Sequence, residues 1–206
     1  ITAKSITDAD ISVAPIEDFV YTGQGITPPL TVKDGATTLV QGTDYGLDYS
    51  NNINVGIATV TIVSYGNYTG NKVVTFNITQ APLTITADDK SKVFGESDPD
   101  LTVSYTGFVN GEDQNDLSGT LSISRTSGET PATYTITASG LTSTNYVITY
   151  ETGEFTIGSK SITDTDIRVA SISDLVYTGL AQTPSPLVKD GATTLVEDTD
   201  YELSYA

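Results

Sequence analysis

An all-β chain of small sandwich modules in tandem is what the sequence predicts, on three observations. Apolar residues alternate with Thr, Asn or charged residues over short runs, as in Val60-Thr61-Ile62 and Val74-Thr75-Phe76-Asn77-Ile78, which is the period of half-buried strands. Clusters of Gly, Asn, Asp and Pro suited to tight turns separate the runs, and the first part of the chain has no stretch of helical periodicity. The interval Lys4 to Ser50 returns without a gap at Lys160 to Ala206, every landmark displaced by the same 156 residues. Such repetition marks a duplicated structural unit.

The repeat divides the chain into a module over 4–79, a second over 80–159, and the start of another copy of the first over 160–206. A module of that size buries only about 60% of its unfolded surface, so neighbours are expected to support one another. In the first module roughly seven strands are expected, among them Ile6 to Val13, Val20-Tyr21, Leu30 to Val32, Leu39-Val40 and Tyr45 to Tyr49. That number suits a sandwich. Asp34-Gly35, Ser50-Asn51-Asn52 and Gly66-Asn67-Tyr68-Thr69-Gly70 supply its turns. The connector Thr79-Gln80-Ala81-Pro82 is too short to leave much freedom between bodies of that size, so the modules are expected to form a semi-rigid, beads-on-a-string rod.

The second module repeats the alternation in Leu83-Thr84-Ile85, Leu121-Ser122-Ile123, Tyr134-Thr135-Ile136, Tyr146 to Tyr150 and Phe155-Thr156-Ile157. Within it, Asn110 to Leu117 carries acids at the start of what reads as a turn or two of helix. The third interval has no counterparts of residues 51–79, and half a sandwich leaves an apolar face and open edges uncovered. The sequence is therefore read as an internal fragment of something longer, with strands donated by a neighbouring chain as the alternative.

Composition removes several function classes. With 26 Asp and Glu against 9 Lys and Arg, a net charge of −17, the chain has nothing to displace counterions from phosphates or to bind an anionic membrane. Cys, His, Met and Trp are absent, which excludes disulfides, thiol chemistry, soft-metal sites and a Ser-His-Asp triad within these residues. No apolar run reaches membrane-spanning length.

At the second module, the string Val93-Phe94-Gly95, Asp98-Pro99-Asp100-Leu101, Gly107-Phe108-Val109, Gly111-Glu112-Asp113, Leu117-Ser118-Gly119, Tyr134-Thr135-Ile136, Gly140-Leu141 and Asn145-Tyr146 resembles the MBG-type repeat domains of large bacterial surface adhesins. Phe94 stands where that family usually has Tyr. The first and third intervals look like companion bacterial Ig-like or MBG-like repeats, through Val-Tyr-Thr-Gly and Thr-Asp-Tyr in both and Gly-Asn-Tyr-x-Gly in the first. The resemblance implies an extracellular or cell-surface location, a predominantly β fold with a β-grasp-like sheet as the alternative to the sandwich, and no catalytic residues.

Candidate sites are weighed against that background. Tyr45, Tyr68 and Tyr146 sit beside turns, where a buried ring anchors a loop through its hydroxyl; exposed Tyr21 or Tyr105 is the position for sugar stacking. Closely spaced acids at Asp8 and Asp10, Asp98 and Asp100, and Asp164 and Asp166 are the tentative ligands for calcium, the one cofactor entertained. Glu112-Asp113 is a further acidic pair; no complete calcium loop motif is present, and a solvated acidic face is the favoured reading of all of them. Lys4 in a first strand and Asn77 in a last one invite an isopeptide bond, which needs a buried acid beside them. The expected function is a non-catalytic stalk or fibre segment whose partners are its neighbouring modules. The alternatives are a module that binds glycan or protein on a host or cell surface, and a strand-sharing filament subunit joined to copies of itself.

Overall fold

The computed structural model describes residues 2–205; Ile1 and Ala206, the last residue of the repeated interval, lie outside the described residues. The chain divides into two compact units. The first holds residues up to Lys90 with Asp100–Ser127 and Tyr134–Phe155, and the second holds Ser91–Pro99, Gly128–Thr133 and the residues from Thr156 onward.

Within the first unit, nine strands precede residue 80: β1 (Lys4–Ser5), β2 (Ile11–Val13), β3 (Phe19–Val20), β4 (Val32–Asp34), β5 (Thr37–Thr38), β6 (Tyr45–Ser50), β7 (Gly56–Ser64), β8 (Tyr68–Thr69) and β9 (Asn71–Thr79). They form a sheet in the order β2-β4-β5, a larger one in the order β3-β9-β7-β6, and the parallel pair β1-β8. The long antiparallel hairpin β7-β9 runs from Gly56 opposite Ile78 to Val63 opposite Asn71. Its alternation buries Ala58, Val60, Ile62, Phe76 and Ile78 on one face, as the period of two requires.

Several expected strand boundaries move, for local reasons. Ile6 to Val13 is interrupted by a turn, because Asp8 N donates to the Ser5 carbonyl and Asp8 Oδ1 accepts from Asp10 N, satisfying groups a ladder would otherwise use. The short strand near Tyr21 ends one residue earlier. Leu30 is buried but precedes β4, its carbonyl accepting from the Tyr45 hydroxyl at 2.9 Å. Thr37–Thr38 pairs with β4 in place of Leu39-Val40, and Leu39 is buried just beyond it. The strand β8, through Tyr68, was not among those expected.

The next seven strands are β10 (Ala81–Ala87), β11 (Lys90–Val93), β12 (Val103–Thr106), β13 (Ser118–Arg125), β14 (Ala132–Thr142), β15 (Tyr146–Glu151) and β16 (Gly153–Gly158), arranged as β12-β10-β15 and β11-β16-β14-β13. The helical segment is a single 3-10 turn, Gln114–Asp116, closed by a capping box in which Asp113 Oδ1 accepts from Asn115 N and Asp116 Oδ2 accepts from Asp113 N. Gly119 and Gly140 face each other where the β13–β14 register shifts. A Cβ on either would lie 2.2 Å from a carbonyl oxygen of the opposite strand, and both have φ near +90°. Only glycine fits there.

One apolar core runs through the first unit. Ile6, Val32, Val60 and Ile62 belong to it, and so do Ala81, Leu83 and Tyr146, with Phe108, Val109 and Leu117 packed against it. The core therefore continues past Thr79 without a break. In the second unit, β17 (Ile167–Val169), β18 (Val188–Asp190) and β19 (Thr193–Thr194) repeat the order and register of β2-β4-β5.

Candidate functional site

A cluster of polar contacts in the first unit lies where residues just after β3 meet the start of β15. Tyr21 follows β3, and its N–H donates to the Thr79 carbonyl at 2.8 Å, so the end of β9 fixes the ring's position. The ring is buried. It meets Tyr146 edge to face, with centroids 5.6 Å apart and planes at 85°, and Tyr146 meets Phe108 in the same way at 5.5 Å. Such T-shaped contacts set the positive edge of one ring against the negative face of the next.

Both hydroxyls converge on Glu112. Tyr21 donates to Oε1 and Tyr146 to Oε2, each at 2.5 Å, and the Tyr146 oxygen also accepts from Val109 N. Glu112 is brought there by the tight turn Val109 to Glu112, closed by Glu112 N donating to the Val109 carbonyl. Burial, then the bond to Glu112 and its negative charge, pushes the Tyr21 phenol up to about 12. Burial and the same carboxylate raise Tyr146. Both phenols stay protonated and act as donors to a charge-bearing acceptor.

Paired amides frame this centre. Asn110 Nδ2 donates to the Gly23 carbonyl, Gln24 Nε2 donates to Asn110 Oδ1, Val55 N donates to Asn145 Oδ1, and Asn145 Nδ2 donates to Asn54 Oδ1. Gln80 Nε2 donates to the Tyr146 carbonyl. Gly23 has φ +73°, and a Cβ there would fall 2.6 Å from Asn110 Cβ. The backbone at Gly23 therefore approaches Asn110 more closely than any side chain permits. A polar hollow of about 200 Å³ beside the site is lined by Glu112, Asp116, Ser118, Ser143 and Asn145 among others. The arrangement holds two stretches of chain together; it contains no nucleophile paired with a base.

The sequence-predicted residues fall in different places. Tyr45, Tyr68 and Tyr146 are anchors: Tyr45 bonds the Leu30 carbonyl, Tyr68 bonds Asp34, and Tyr146 bonds Glu112. Tyr21, expected to be exposed for sugar stacking, is buried at 4% exposure because Tyr146 and Glu112 cover it. Tyr105 is half-buried against Phe108. Asp10 and Asp34 share the Lys4 ammonium at 3.3 and 2.6 Å, and Asp166 and Asp190 share Lys160 at 3.4 and 2.7 Å. Asp8 and Asp164 each accept the N–H of the acid two residues on. Asp98 lies 2.7 Å from Lys92, which also bonds Glu129; those two carboxylates, Asp98 first, raise the lysine's pKa. Asp100 is exposed. Among the described residues no three acidic side chains converge as a metal site needs. The isopeptide geometry is not formed, since Asn77 Nδ2 donates to Asp18 while Lys4 faces Asp10 and Asp34.

Every residue on the far side of this site, from Phe108 through Glu112 to Asn145 and Tyr146, belongs to one contiguous family match. Residues 83–156 match the MBG domain (YGX type). MBG domains are adhesin-type repeats without catalytic function and occur in bacterial surface proteins. Within the matched residues Phe94 precedes Gly95, and its N–H donates to the Gly158 carbonyl. No curated protein matches the chain. No helix among the described residues is long and apolar enough to cross a membrane.

Proposed function

We propose that this chain is a stalk or fibre segment of a large bacterial surface protein, and that its work is to hold successive β modules in fixed order and orientation. One observation carries the reading: Glu112 of the MBG segment accepts from Tyr21 outside it and from Tyr146 inside it, while the apolar core continues from Ile78 through Ala81 to Leu83. A string of freely jointed binding modules has no use for a shared core at the joint. A segment that transmits tension does, because separating the modules then exposes apolar surface and strands a carboxylate. The acidic surface keeps a long extended polymer soluble. On this reading its partners are its neighbouring modules, it works outside the cell, and it catalyses nothing.

Pulling the 206-residue chain from its ends by optical tweezers tests the reading. Residues 4–155 are expected to yield as one event at high force, and Glu112→Gln to split that event into two at lower force. Two independent low-force events in the unaltered chain would overturn it. So would reproducible, saturable capture of a defined glycan that is lost on altering half-buried Tyr105.

A further inference from the structure

The turn that presents Glu112 carries the one Asn-Gly pair in the sequence, Asn110-Gly111. Asparagine before glycine is the pair most prone to spontaneous deamidation, because no side chain on the following residue hinders its backbone nitrogen. That nitrogen attacks Cγ of the asparagine, ammonia leaves, and the resulting succinimide ring takes up water to open as aspartate or as isoaspartate. No oxidant, metal or cofactor is needed. Both residues are exposed, and nothing lies within 4 Å of where a Gly111 side chain would begin.

In the folded chain the side chain that must react is held at both ends. Asn110 Nδ2 donates to the Gly23 carbonyl at 2.9 Å, and Asn110 Oδ1 accepts from Gln24 Nε2 at 2.9 Å. The backbone is held as well. Its φ is +53° at Asn110 and +78° at Gly111, and Glu112 N closes the turn on the Val109 carbonyl at 3.0 Å, as in the type I′ turns that Asn-Gly favours. Ring closure needs the carboxamide to swing back onto its own peptide and the backbone to turn with it. Both motions are blocked while residues 23 and 24 hold the amide, and opening that contact frees them together.

We propose that Asn110-Gly111 is a self-modifying site, closed to reaction while Gly23 and Gln24 hold the amide and reactive once they release it. The chemistry makes the opening one-way. A carboxylate at position 110 has no N–H for the Gly23 carbonyl, and it adds a negative charge beside Glu112, whose Oε1 lies 3.2 Å from where a Gly23 Cβ would stand. Isoaspartate also inserts a methylene into the backbone of the turn that carries Glu112 to Tyr21 and Tyr146. Each opening that lasts long enough to react therefore leaves a chain that recloses less well. The proposal goes beyond the stalk reading, and its readout involves no force, so either can fail alone.

The test incubates the intact 206-residue chain at neutral pH and follows residue 110 by peptide mapping, with mass to detect deamidation and chromatography to separate the aspartate and isoaspartate peptides. Reaction is expected to be fast in unfolding guanidinium chloride and slow in the native chain, where it tracks the small open population. Gln24 is exposed, so Gln24→Ala keeps the fold by circular dichroism, frees one end of the amide and speeds the native reaction several-fold. Gly23→Ala speeds it about tenfold, as the cost of a left-handed backbone at φ +73° implies. Asn110→Asp, one product of the reaction, unfolds at lower denaturant than the unaltered chain. The proposal fails if residue 110 reacts as fast in the native chain as in the unfolded one, or if neither substitution speeds it. It fails equally if Asn110→Asp is as stable as the unaltered chain, since the opening would then be reversible.

Discussion

The hydroxyl of Tyr21 donates to Glu112 Oε1 at 2.5 Å across 91 residues of chain. Tyr146 occupies the other carboxylate oxygen, so a single acid ties β3 and β15 into one structure. Glutamine in its place offers one neutral amide oxygen to two buried phenols and turns an NH2 group toward the other hydroxyl. Glu112→Gln is expected to destabilise the first unit by about 1–3 kcal/mol, the usual cost of leaving a buried polar group without its partner. Urea unfolding measures it. A double-mutant cycle with Tyr21→Phe should return a coupling of about 1 kcal/mol or more; additive effects would show that the bond contributes nothing of its own.

Alkaline pH acts on the same bond. The folded pKa of Tyr21, about 12, lies above its ordinary value of 10.0. The folded state therefore holds the phenolic proton more tightly than the unfolded chain does. That contribution is fully present below pH 10 and is lost as pH rises through about 12. Thermal unfolding between those limits should show a steeper loss for the unaltered chain than for Tyr21→Phe. Parallel curves for the two proteins would count against the assigned environment.

Gly23→Ala tests the close approach to Asn110. A methyl group there meets Asn110 Cβ at 2.6 Å on a backbone with φ +73°. Left-handed backbone alone costs a non-glycine residue roughly 1–2 kcal/mol, and the clash adds to it. Hydrogen exchange should quicken at Val109 to Glu112 more than in the distant hairpin β7-β9. Uniform quickening would mean that the substitution loosens the whole unit and not the joint.

Calcium is expected to leave the melting temperature unchanged. Lysine ammoniums already sit between the acids that a divalent ion would need, with Lys4 between Asp10 and Asp34 and Lys92 between Asp98 and Glu129. Calcium prefers six to eight oxygen ligands. Scans with millimolar calcium and with chelator check this, and a rise in melting temperature that disappears in Asp8→Asn or Asp100→Asn would restore those acids as ligands.

The strands were legible because their physical cause is local. Alternation in Val60-Thr61-Ile62 or Leu83-Thr84-Ile85 reports which face meets the core, and the structure buries those apolar residues. Tyr45 and Tyr146 were legible as anchors because a tyrosine beside a turn has few other uses. Glu112 was not. It stood in a row of acids with Asp113 and Asp116, and nothing in that row distinguishes the carboxylate that meets two phenols from those that cap a 3-10 turn.

By itself the sequence determined the β class, the turns and the duplication of Lys4 to Ser50, since each rests on periodicity or on identity along the chain. Only the tertiary structure decided exposure. Tyr21 is expected from the sequence to present an exposed ring, yet it is 4% exposed. The reason lies in what packs against it: Thr79, Glu112 and Tyr146 close over Tyr21. Burial is a property of neighbours brought from elsewhere in the chain, and a local string cannot specify neighbours that it does not contain.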